Sequence, residues 1–280
     1  MLATPVGIDR HQTAATSTRH IVIPIRAHDF RRPLFLVHAT NGSVMPCERL
    51  SHFLDSSLPV YGLQAASSST AADTTFEGLA KSCVQAICGV QAHGPYRLAG
   101  WSIGGLIAYE MAHRLIEDGE SVEFIGLIDA RADLGGIQAP IDTCQEAGSV
   151  PTQLTVGDLR SLDANVRTLC NVAMRYRPPC IPMRVHLFTA ETMPGGDPSC
   201  GWKAVLGHRL QIETMEGTHL TMMKEPVVKT LAASMSQVLW RIDWHAASKP
   251  QDQTRQSIDP GSVAVAVAAA AADVAVRGNF

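Results

Sequence analysis

The stretch that decides the fold runs from Tyr96 to Leu115: Tyr96-Arg97-Leu98-Ala99-Gly100-Trp101-Ser102-Ile103-Gly104-Gly105, then LIAYEMAHRL. Its first five residues read as a short strand. From Ile103 to Asp118 the apolar residues recur at helical spacing, and Gly119 stops the run. Between the two stands Gly100-Trp101-Ser102-Ile103-Gly104, a G-x-S-x-G pentapeptide. A serine on a tight strand-to-helix turn crowds the residues two before and two after it, so both must be glycine. The turn also sets the hydroxyl at a helix N-terminus, where free N–H groups and the helix dipole favour developing negative charge. G-x-S-x-G alone is a weak signal. A strand before it and a helix after it supply its force.

Outward from this stretch, strands and helices alternate. HIVIPI (His20–Ile25) is expected as an edge strand, and PLFLVH (Pro33–His38) as a buried one followed by the loop Ala39-Thr40-Asn41-Gly42. Met45–Leu54 reads as a helix and Pro59–Leu63 as a strand. Thr75–Val90 reads as a helix with Thr75 placed to cap it. Further on, strands are expected at Val122–Asp129, Arg184–Ala190 and Leu210–Glu213, and a closing helix at Lys224–Trp240. Several strands are unbroken apolar runs, which argues for a parallel sheet covered on both faces. The expected fold class is therefore α/β: an α/β-hydrolase fold with a mostly parallel central sheet flanked by helices. Asp129–Pro182 interrupts the alternation with a Gly- and Pro-rich loop and the weaker helical pattern of Gly157–Arg175, so a lid over about 133–180 is expected.

Composition sets the outer limits. The 280 residues are 46 % apolar, enough to bury one large core, and carry a formal net charge of −3 with no basic stripe, so no nucleic-acid partner is expected. Seven scattered cysteines, odd in number and without a C-x-x-C pair, suggest neither a zinc site nor a disulfide framework but thiols in a reducing cytosol. No signal peptide follows Met1 and no apolar window suits a membrane span, so a cytoplasmic location is expected. Residues 1–20 read as a flexible arm, 21–245 as the catalytic domain, and 246–280 as a disordered, Ala/Val-rich tail.

A serine hydroxyl needs a base. In this fold the acid and then the histidine follow the serine in the chain. His186, His208, His219 and His245 lie at plausible distances after Ser102, whereas His113 falls inside the next helix. His219, in Glu216-Gly217-Thr218-His219-Leu220, follows a strand, where such a sheet gathers its site. His208 precedes that strand and should lie at the opposite edge. Three carboxylates can serve as the acid: Asp129 at a strand's end, Asp197 in the loop after the next strand, and Asp133 four residues beyond Asp129. The acid would hold the imidazole tautomer and favour its cation. The oxyanion hole needs two backbone donors. These are expected to be the N–H of Ile103 and that of Thr40 or Ala39 in the loop after PLFLVH.

PLFLVHATNG, LPVYGLQA, GPYRLAGWSIGGLIAYEMAHRL, EFIGLIDA, Gly201-Trp202 and EGTHLTMM, in that order over residues 20–242, resemble the chain-releasing thioesterase domains of non-ribosomal peptide synthetases and polyketide synthases. The resemblance maps the nucleophile to Ser102, the base to His219, the acid to Asp129 and the second oxyanion donor to Thr40. It implies no bound cofactor. It implies an acyl or peptidyl carrier protein as partner, whose phosphopantetheine arm presents a thioester, in secondary-metabolite (antibiotic) biosynthesis. Water or an internal nucleophile would then release an acid or a ring. The family loop usually reads His-Pro-x-Gly-Gly, where this chain has His38-Ala39-Thr40-Asn41-Gly42. With no carrier-like serine motif in residues 1–20, a free-standing enzyme or an excised domain is expected. Free-standing editing thioesterases tend to place the acid one strand later, near Asp197. A carboxylester hydrolase, or a non-catalytic binding member of the fold, is the alternative.

Overall fold

The structure is a computed structural model that describes residues 20–27, 31–39, 42–65, 75–134, 156–191 and 196–248. Residues 1–19 of the expected arm, Thr40, Asn41, residues 135–155 of the expected lid and the tail from 249 lie outside the described residues. The described residues up to Trp240 make one compact unit. Arg241 begins a second, of which the end of one helix is described.

Among the described residues seven strands form one sheet: β1 (His20–Arg26), β2 (Leu34–Val37), β3 (Val60–Ala65), β4 (Tyr96–Trp101), β5 (Val122–Ile128), β6 (Val185–Ala190) and β7 (Leu210–Met215), in the order β1-β3-β2-β4-β5-β6-β7. β1 pairs antiparallel with β3 at one edge, and every other pairing is parallel. All four residues of β2 and all six of β4 are buried. A strand covered by helices on both faces has no polar side to show.

Among the described residues the helices are α1 (Met45–Phe53), α2 (Phe76–Cys88), α3 (Ile103–Glu117), α4 (Val156–Arg175), α5 (Trp202–Leu206) and α6 (Val227–Ser248). Thr75 caps α2 as expected, its hydroxyl accepting the Gly78 N–H at 3.0 Å. The closing helix differs from expectation. It starts after Glu225-Pro226 and passes both Trp240 and the expected domain end at 245 to reach Ser248. Arg241–Ser248 holds no glycine or proline to stop a helix, and the next proline is Pro250. Within the expected lid, α4 is the one element among the described residues, and Ala173 and Tyr176, at and just beyond its last turn, are buried against the core.

The sheet order carries the functional consequence. From β2 the chain crosses one way to β3; from β4 it crosses the other way to β5. Loops leaving the carboxyl ends of β2 and β4 therefore part from each other and leave a crevice, the usual place for a site in an open α/β sheet.

Candidate active site

Ser102 sits between β4 and α3 with φ 58° and ψ −128°, a conformation an L-residue adopts only under constraint. Its N–H donates to the Ile128 carbonyl at 2.8 Å, tying the turn to β5. The flanking glycines are required by space. A Cβ on Gly100 would lie 2.3 Å from the Gly104 carbonyl, and one on Gly104 would lie 2.4 Å from the His38 carbonyl oxygen. The second contact shows that the start of α3 packs directly on the end of β2. Ile103, the first residue of α3, carries one of the N–H groups that a helix start leaves without an intrahelical acceptor.

Asp129 follows β5 at φ 45° and is buried. Burying a carboxylate is costly unless its oxygens are hydrogen-bonded. Here Oδ1 accepts the Ala190 N–H at 2.8 Å and the Thr189 hydroxyl at 3.3 Å, and Oδ2 faces His219 Nδ1 at 2.6 Å. An ionised carboxylate only accepts, so Nδ1 carries the proton and Nε2 keeps its lone pair. The imidazole is 32 % exposed against 1 % for the carboxylate, so the acid is sealed in while the ring reaches the crevice. The ring also stacks on Trp101, the residue before Ser102, with centroids 5.0 Å apart. Ser102, Asp129 and His219 thus arrive from the carboxyl ends of β4, β5 and β7.

The other candidates stand elsewhere. Asp197 accepts from the Ser199 N–H (2.9 Å), the Ser199 hydroxyl (2.8 Å) and the Gly201 N–H (3.0 Å), bonds that hold its carboxyl below the usual carboxylate range. Asp133 is exposed, 3.6 Å from Arg177. His208 lies in the short turn before β7, at the opposite end of that strand from His219. The Ala39 N–H is spent on the Ser43 carbonyl at 3.3 Å, which leaves Thr40, outside the described residues, as the other expected oxyanion donor.

Three further residues contribute in ways to which the sequence assigns no role. Thr189 helps fix Asp129. The Trp202 indole N–H donates to the Ala130 carbonyl at 2.8 Å, and the Ala132 N–H donates to the Cys200 carbonyl at 2.9 Å; these two bonds staple the loop after Asp129 to the loop that Asp197 organises. Buried His38 donates from Nδ1 to its neighbour Ala39's carbonyl at 2.7 Å, and desolvation pushes its pKa down, so it stays neutral beside the crevice. Trp202 was visible in the sequence as half of the Gly201-Trp202 block; the roles of Thr189 and His38 left no signal. Among the described residues no cluster of His, Cys, Asp and Glu is arranged to hold a metal ion. Likewise, among them no helix is long and apolar enough to cross a membrane.

A mostly parallel sheet with a strained serine at the β4–α3 turn and an Asp–His pair from later strand ends defines the α/β-hydrolase fold. Residues 32–143 match the thioesterase domain family. The malpibaldin synthetase of Mortierella alpina is 27 % identical over 241 residues, covering 79 % of this chain and 4 % of the synthetase. Atromentin synthetase invA2 of Paxillus involutus is 32 % identical over 146 residues, covering 51 % of this chain and 15 % of that protein. The chain therefore spans a small part of these relatives' length. Among solved structures, the NocB thioesterase domain, in covalent complex with a fluorophosphonate nocardicin G analogue, shares the fold at a TM-score of 0.66 and 24 % identity, covering 79 % of this chain and 99 % of that one.

Proposed function

We propose that the chain is a serine thioesterase that takes an acyl, peptidyl or polyketide chain from the phosphopantetheine thioester of a carrier protein and releases it by hydrolysis or cyclisation. The observation that carries this reading is the 2.6 Å contact between buried Asp129 and His219, whose ring lies against the residue next to Ser102. His219 Nε2 takes the Ser102 proton as Oγ attacks the thioester carbonyl. The Ile103 N–H, with that of Thr40 from the loop after β2, receives the oxyanion. Collapse expels the pantetheine thiolate, which takes the proton back from the imidazolium and leaves the acyl group on Ser102. Water or a hydroxyl or amine within the chain, deprotonated by the same imidazole, then attacks the acyl-enzyme. No step needs a metal or an organic cofactor, and the partner is the carrier protein, in the cytoplasm.

The likeness to synthetase thioesterase domains supports the thioester as leaving group, and the chemistry of the Asp–His pair serves an oxygen ester equally well. Turnover of an acyl-pantetheine against its oxygen-ester analogue separates the two. Preference for the thioester upholds the reading; strong preference for the oxygen ester makes the chain a carboxylester hydrolase. If a fluorophosphonate leaves Ser102 unlabelled, the chain is a non-catalytic member of the fold.

A further inference from the structure

Trp101 closes β4 and is 5 % exposed. Its indole and the His219 imidazole stack with centroids 5.0 Å apart and planes 27° from parallel. The indole N–H is buried and has no hydrogen-bond partner among the described residues. A buried donor without an acceptor is destabilising, so the N–H does not account for an indole at this position. The stack uses the ring's face. A cation within ~6 Å of an aromatic face is attracted by the ring's quadrupole, tryptophan offering the strongest such face.

We propose that Trp101 is a positioning residue for His219, its face holding the imidazole plane and stabilising the imidazolium formed when Nε2 receives the Ser102 proton. The proposal rests on the reading of His219 as the base. Trp101 makes and breaks no bond; it acts through the ring it touches. Among the described residues the charged group in contact with that ring is Asp129, from the loop after β5, with Arg131 and Asp197 further back around the Cys200 thiol. These groups are common to the wild type and to Trp101 variants, so a difference between them isolates the indole.

The test is an NMR titration of the protein labelled with ¹⁵N-histidine, the His219 resonance being assigned by its loss in His219→Gln. In Trp101→Leu the midpoint of the His219 titration should fall by about half a pH unit, and in Trp101→Phe by less. The acid limb of the pH–rate profile should move down with it, which a merely structural loss does not produce. Fluorinated tryptophan keeps the indole's shape and drains its face. Incorporated in place of the four tryptophans, it should lower the same midpoint progressively with fluorine content, and it answers the question if the leucine variant does not fold. An unchanged midpoint in Trp101→Leu, or in the fluorinated protein, overturns the proposal. The titration needs no substrate, so a wild type that never acylates Ser102 sinks the catalytic reading without deciding this one.

Discussion

Asp129 and Asp197 both follow a strand, yet their surroundings assign them different work. Asp129 spends one oxygen on the backbone of β6 and the other on His219. Asp197 spends both on its own loop. Asp129→Asn should leave the fold intact and lower kcat by roughly 10⁴, because an amide can favour the wrong imidazole tautomer. Asp197→Asn should lower the Tm and leave far more activity. The pH dependence of that loss follows from the depressed pKa of Asp197. Its contribution is present above the ordinary carboxylate value of ~4 and is lost as the pH falls through the lower folded value. The Tm values of wild type and Asp197→Asn, apart at neutral pH, should therefore converge in acid. Ser102 was legible in the sequence because steric crowding writes itself as glycines at fixed offsets. The acid was less sharply written: the resemblance points to Asp129, but the residues alone leave three carboxylates in two loops, and bonds from Ala190, Thr189 and His219 set Asp129 apart. The Trp101 stack was illegible for the same reason, since it joins side chains far apart in the chain.

The elements were legible to the extent that their periodicity was strong. β2, β4 and α3 match their expected spans within about a residue, because unbroken apolar runs and a helical stripe leave little choice. α6 overran its expected end because no stop signal lies in Arg241–Ser248, and β7 ran two residues beyond Glu213 because edge pairing with β6 continues to Met215. The most exacting element is the turn into α3. Gly104→Ala would press a methyl to within 2.4 Å of the His38 oxygen and 2.8 Å of the Val37 oxygen, both backbone atoms that cannot swing aside. It should abolish activity and destabilise the fold by several kcal/mol, of order 3 or more, measured by chemical denaturation. Thr75→Ala, which removes only the α2 cap, should cost about 1 kcal/mol in the same assay and leave activity unchanged.

Across the molecule the sheet acts as a frame that gathers groups from distant positions at one set of carboxyl ends. The strand order places the β2 and β4 loops on either side of a crevice, and β5 and β7 deliver the carboxylate and the imidazole to it. Packing beneath secures the delivery: Trp202 packs at a tilt against the ring of Tyr109 in α3 and holds the Ala130 carbonyl. Trp202→Phe would leave that buried carbonyl unpaired, and should cost about 1–3 kcal/mol and a few degrees of Tm. The alternation of strand and helix made this frame visible in the sequence; the staples that hold its loops were not, being single hydrogen bonds without a pattern. The account as a whole turns on whether Ser102 becomes acylated. Intact-protein and peptide mass spectrometry after incubation with an acyl-pantetheine should find the acyl mass on Ser102. The adduct should be lost in Ser102→Ala and slowed by on the order of 10³–10⁶ in His219→Ala. An acyl adduct that persists in Ser102→Ala, or the absence of any adduct and of turnover in the wild type, would contradict the account.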